Sequence, residues 1–107
     1  MLNIDMEPVK GILFIRLSGI LDEKNLTKMD NEVFSFLKSV GIRNIVFNIS
    51  NLDYIDKFGK DAIVRYMKNN KEGFICVGNN KKILPFFDKL SERIIEDELT
   101  AVKIINC

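Results

Sequence analysis

Histidine and tryptophan are absent from this sequence, cysteine and proline occur only twice each, and 16 basic residues are balanced by 15 acidic ones. Without histidine the chain lacks the commonest general base and metal ligand at neutral pH, and most catalytic constellations go with it. A formal charge of +1 is too small to create the field that binding to a phosphate backbone draws on, so nucleic acid is not an expected partner. Cys76 sits inside an apolar run and Cys107 at the last position, a spacing that makes neither a zinc site nor a redox pair. A buried Cys76 and a frayed Cys107 are expected instead. Apolar runs such as Gly11 to Ile15 fall far short of the ~20 residues of a membrane helix, and the acidic start Met1-Leu2-Asn3-Ile4-Asp5 is unlike a signal peptide. No enzyme activity, metal, cofactor or membrane insertion is expected, and the cytoplasm is the expected location.

What is present suits a globular domain: 47% hydrophobic and 29% charged residues over 107 positions. No repeat, low-complexity tract or Pro/Ser-rich linker breaks the chain, so residues 1–107 read as one domain, long enough to need no metal or disulfide staple. Leu2 to Met6 alternates as a half-buried strand does, Pro8-Val9-Lys10-Gly11 carries turn residues, and Ile12 to Leu17 reads as a more buried strand ended by Gly19. An N-terminal hairpin follows.

From Asp22 to Val40, the residues Leu26, Met29, Val33, Phe36, Leu37 and Val40 share one helical arc, and Gly41 supplies a left-handed stop. Phe34 falls outside that arc. Asn44 to Ile49 and Gly73 to Gly78 suit buried central strands, with a helix from Asp56 to Asn69 between them, an order that implies a crossover and parallel pairing. Asn80 to Leu90 has helical spacing with Asn80 as a cap, but Pro85 requires a kink or a start near Leu84. Near the end, Ala101 to Ile105 has strand propensity, while Glu96-Asp97-Glu98 places acids where a helix start prefers them; a short strand at Arg93 to Ile95 and a final helix are favoured.

Projected as a helix, the segment from Asp56 puts Gly59, Ala62, Ile63 and Tyr66 at the middle of its apolar arc and Phe58 at an edge, which predicts partial exposure of Phe58. Lys57 places a cation in the first turn, where the dipole disfavours it by ~0.3–1 kcal/mol, so helix stability does not explain it. Gly59 is expected to let the helix start approach the strand ends.

Two motifs sharpen a family resemblance. Leu17-Ser18-Gly19-Ile20-Leu21-Asp22 is similar to the Leu-x-Gly-x-Leu-Asp of the STAS domain family. Ile45 to Gly59, ending in Leu52-Asp53-Tyr54-Ile55-Asp56-Lys57-Phe58-Gly59, resembles that family's apolar strand followed by Leu-x-x-hydrophobic-Asp-Ser-x-Gly at a helix start. Phe87-Asp88 and Leu90 echo its third helix. The resemblance implies an α/β fold: a mixed, mostly parallel sheet of four to five strands with an N-terminal hairpin and about four helices. It also implies a protein-binding regulatory module of the anti-sigma-factor-antagonist kind, whose partner is an anti-sigma factor or related kinase-like protein.

In such antagonists the Asp-Ser-x-Gly loop carries a phosphorylated Ser or Thr. Here Asp56 and Gly59 are retained, but Lys57 and Phe58 fill the intervening positions and neither bears a hydroxyl. The resemblance implies that Phe58 takes the acceptor-equivalent position, and with no hydroxyl at 57 or 58 it implies a phosphorylation-independent antagonist docking through Asp22, Asp56, Lys57, Phe58, Gly59 and Lys60. Ser50 and Tyr54 are the nearby hydroxyls. A second role open to the same fold is a docking subunit of a membrane transporter or stress-signalling scaffold. A small nucleotide-binding protein or enzyme using Asp22, Asp53 and Asp56 is the alternative of another class, with no Gly-rich phosphate loop, histidine or activated nucleophile to accompany it. Helix capping and turn formation account for Asp22 and Asp56 equally well.

Overall fold

The computed structural model describes residues 1–42, 44–70 and 73–106; Cys107 and the side chain of Val40 lie outside the described residues. Strands β1 (Leu2–Val9) and β2 (Ile12–Leu21) pair antiparallel from Leu2 against Gly19 to Val9 against Ile12. Lys10 and Gly11 between them both take positive φ, 51° and 81°, as a two-residue hairpin turn matched to strand twist requires. Pro8, read from sequence as part of the turn, belongs to β1, an edge strand where proline is tolerated.

Gly19 does not end β2. It sits at φ +86° beside a break in the β2–β3 register, and a Cβ there would lie 2.3 Å from the Met1 carbonyl oxygen. That oxygen accepts the Ile20 N–H at 2.9 Å. The glycine marks a bulge over which the start of the chain folds, and the strand continues to Leu21.

After a single 3-10 turn at Glu23–Asn25 comes α1 (Leu26–Val40), stopped by Gly41 at φ +66°, whose N–H donates to the Leu37 carbonyl at 3.0 Å. Strand β3 (Asn44–Ile55) is longer than the run Asn44 to Ile49 suggested, because its tail continues pairing with β2 out to Leu21 against Ile55. Leu52 and Ile55 are buried in this tail while Asp53 and Tyr54 are exposed, which spoils the strict alternation. Helix α2 (Lys57–Asn69) and the short β4 (Phe74–Cys76) follow.

Of the two options that Pro85 left open, a kink or a start near Leu84, the structure takes the later start: the segment is a 3-10 helix over Leu84–Arg93, with Pro85 in its first turn and non-helical torsions at Phe87 and Leu90. Asn80 is not its cap. Its Nδ2 donates to the carbonyls of Ile49 at 3.0 Å and Leu52 at 2.8 Å, tying the exit of β4 to β3. Strand β5 (Ile94–Ile95) and α3 (Glu98–Ile105) close the chain, with Asp97 Oδ1 accepting the Thr100 N–H at 2.9 Å as the cap of α3.

The sheet has five strands in the order β1-β2-β3-β4-β5, antiparallel at the hairpin and parallel elsewhere. Alternation of side chains sends Leu13, Ile15 and Leu17 to the face covered by α1, α2 and the 3-10 helix, and Ile12 and Phe14 to the face covered by α3. Cys76 lies in that second core beside Phe14, Val46 and Ala101, and burial pushes its thiol up to about 12.

Arg16 holds α3 down. Its Nε and Nη2 each donate to a Glu98 carboxylate oxygen at 2.8 Å, while its remaining reach is taken by Asp5 at 3.1 Å and Glu7 at 2.8 Å on β1. Asn48 adds a donor to Glu98 at 2.8 Å. The hydrogen bond from Arg16, opposed by partial burial and assisted by Asn48, holds the Glu98 carboxyl below the usual carboxylate range. A depressed folded value contributes stability above the unfolded pKa of ~4.3 that is lost as pH falls through the folded value. Glu98→Gln should therefore cost about 1 kcal/mol in urea unfolding at neutral pH, reduced from the buried-pair figure because the pair is partly exposed, and the gap to the native chain should narrow as pH falls below the ordinary carboxylate range.

Candidate functional site

Because β2 and β3 are parallel and end level, Leu21 against Ile55, the residues that follow them leave the sheet side by side. Those residues are Asp22 and Asp56. Both are extended and both cap: Asp22 Oδ1 accepts the Asn25 N–H at 3.2 Å, and Asp56 Oδ1 accepts the Gly59 N–H at 2.8 Å.

Asp56 does more. Its second oxygen, Oδ2, accepts the Glu23 N–H at 3.0 Å, and its own N–H donates to the Leu21 carbonyl at 3.2 Å. One carboxylate thus satisfies unpaired N–H groups at the starts of two helical segments, which would otherwise need water or other partners. Asn25 reinforces the junction by donating its side-chain N–H to the Ile20 carbonyl at 3.0 Å.

Gly59 is buried against this junction. A Cβ there would lie 2.6 Å from the Leu21 carbonyl oxygen, 2.8 Å from Leu21 Cγ and 3.0 Å from Ile55 Cγ1. Its torsion is not left-handed, so space rather than backbone conformation excludes a side chain. The expected close approach of helix and strand ends is present.

Outward from the junction stand the other predicted residues. Gly59, Ala62, Ile63, Tyr66 and Met67 bury the inner face of α2, while Lys57 is exposed and Phe58 remains 49% exposed. Lys60 is half-buried, its Nζ 4.0 Å from Asp61 Oδ1, a surface pair of little energetic weight. Tyr54, at the end of β3, adds a second aromatic that is 54% exposed. The structure therefore gathers Asp22, Asp56, Lys57, Phe58, Gly59 and Lys60 at one end of the sheet, two as caps, one as a spacer and three facing out.

Asp22 and Asp56 are occupied by backbone donors, and Asp53 is exposed on β3. Among the described residues, no group of three or more His, Cys, Asp or Glu is placed to hold a metal ion. Ser50 is partly buried, its hydroxyl donating to Asn48 Oδ1 at 2.7 Å. The bridge from Asp56 to Glu23 and the support from Asn25 were not legible in the sequence. The only hint was Asp22-x-x-Asn25, a capping spacing, since the bridge joins residues 33 apart.

A profile of the STAS domain matches residues 3–77. The anti-sigma F factor antagonist of Paenibacillus polymyxa is 27% identical over 115 residues, covering 94% of this chain and 98% of that protein. Among solved structures, an anti-sigma factor antagonist from Mycobacterium paratuberculosis superposes with a TM-score of 0.81 at 9% identity, covering 100% of this chain and 96% of the other. The Bacillus cell fate determinant SpoIIAA, solved in a phosphorylated form, superposes with a TM-score of 0.73 at 17% identity over 96% and 99% of the two chains. The likenesses to solved structures show the fold.

The geometry ranks the junction residues. Asp56→Ala should destabilise the chain by about 2 kcal/mol in urea unfolding, against about 1 kcal/mol for Asp22→Ala, because only Asp56 accepts from two elements. Gly59→Ala, which forces a methyl onto the Leu21 carbonyl, should cost roughly 1–3 kcal/mol despite the better helix propensity of alanine.

Proposed function

We propose that this chain, which belongs to the STAS domain family, is a single-domain regulatory protein that binds an anti-sigma factor or related kinase-like protein through the start of α2. The relatives named as anti-sigma factor antagonists support the regulatory, protein-binding role. The observation that carries the finer reading is Phe58: a half-exposed aromatic in the first turn of a helix whose start is fixed by Asp56 and Gly59. An aromatic held on rigid backbone supplies contact area at small entropic cost, and Lys57 beside it selects an acidic complement.

At the position where the family resemblance places a phosphorylatable hydroxyl, Phe58 cannot accept phosphate, and Lys57 has no hydroxyl either. Phosphate at a helix start is favoured by free N–H groups and the positive end of the dipole, so the loss of the acceptor removes a well-placed off switch. In this reading the antagonist stays competent in the presence of its kinase, and control lies in its cytoplasmic abundance or in another input.

Affinity capture from the native cell tests the reading. The native chain should recover an anti-sigma-type kinase, and Phe58→Ala and Lys57→Glu should each weaken that complex about tenfold or more while both variants remain folded at the assay temperature. Recovery of a membrane transporter in its place, or undiminished binding by both variants, would contradict it. Incubation of the recovered kinase with ATP and this chain should leave Ser50 and Tyr54 without stoichiometric phosphate by mass spectrometry.

A further inference from the structure

A groove of about 550 Å³ runs along α2 where the 3-10 segment Leu84–Arg93 lies beside it. One wall is the Val64 side of α2, and the other is formed by Pro85, Phe86, Phe87 and Leu90. Phe87 is 1% exposed and anchors the segment to the core, while the neighbouring Phe86 is 40% exposed. With Val64 and Leu90 half-buried, the groove has an apolar floor open to solvent.

Helical geometry joins this groove to the start of α2. Projected down the helix axis, Lys57, Lys60, Asp61, Val64 and Lys68 share about 100° of arc over about 16 Å. Lys60, Asp61, Val64 and Lys68 line the groove, and Lys57 heads the same stripe one turn earlier. The docking surface and the groove are therefore one continuous face. Its charges are uneven when every group is counted. Lys60 and Asp61 lie 4.0 Å apart and offset each other. Of the rest, Lys57, Lys68 and Lys89 stand against Asp88 alone, and none of these forms an ion pair among the described residues. An apolar floor edged by surplus lysines is complementary to an amphipathic segment with acidic flanks.

We propose that this groove receives an acidic amphipathic segment of the same anti-sigma-type kinase that docks on Phe58, with its apolar side on Val64, Phe86 and Leu90 and its carboxylates toward Lys57 and Lys68. The proposal rests on the docking reading of the start of α2 and extends that surface by about two turns of helix.

Isothermal titration of the full chain with the kinase recovered by capture tests the two separately. Phe86→Ala and Lys68→Glu should each weaken the complex about five- to tenfold, and Lys68→Glu should also flatten its salt dependence. Lys103→Glu, the same change of charge on α3 across the sheet, should leave the affinity native. Positions 68, 86 and 103 are exposed, and unchanged circular dichroism at the titration temperature confirms that the variants are folded. If Phe58→Ala weakens the complex while either Phe86→Ala or Lys68→Glu binds as the native chain does, the groove proposal fails and the docking reading survives. If no kinase binds, or Phe58→Ala and Lys57→Glu leave binding intact, both fail. Equal losses from Lys103→Glu and Lys68→Glu would overturn the groove proposal, as would a dimer of the free chain in sedimentation that Phe86→Ala abolishes, since the groove would then belong to a second copy.

Discussion

The carboxylate of Asp56 is the hinge pin of this structure. It is placed by the parallel register that brings Leu21 and Ile55 level, and it converts that register into a rigid corner by accepting N–H groups from Gly59 and Glu23. Each such cap contributes on the order of 1 kcal/mol, a modest figure, but two caps on one side chain also fix the relative placement of two helical segments. Gly59 makes the arrangement possible, since the Leu21 carbonyl occupies the space a side chain would need.

Rigidity at this corner determines what the surface can do. The inner side of α2 is committed to the core, so the outward residues of its first turn are presented on backbone that does not have to be ordered again when a partner arrives. Burying the exposed half of the Phe58 ring against a partner is worth about 2 kcal/mol of apolar area, a large share of the affinity of a small interface. Neither Lys57 nor Phe58 carries a hydroxyl, so under the proposed reading this turn offers an apolar contact and no site for reversible charge.

Local periodicity made much of this legible in the sequence. The stripe of α1, the projection of α2 with Phe58 at its edge, and the stop at Gly41 all repeat a signal over several turns or rest on one conformational requirement. The tail of β3 and the 3-10 segment around Pro85 were obscured because their burial does not follow a fixed period. Asn80 resembled a helix cap yet serves β3, since its carbonyl partners there come from a distant part of the chain. The site residues were legible as a motif, whereas the Asp56–Glu23 bond and the Arg16–Glu98 pair, which join residues 33 and 82 apart, exist only once the sheet register is set.

Amide hydrogen exchange of this chain, alone and in complex with the purified anti-sigma-type kinase, addresses the central claim most directly, because it reads the docking surface without altering any residue. The account predicts that slowed exchange on complex formation centres on residues 57–60 and the neighbouring 22–25 turn. Protection centred on α3 or on the β1 edge, with the start of α2 exchanging as in the free chain, would contradict it.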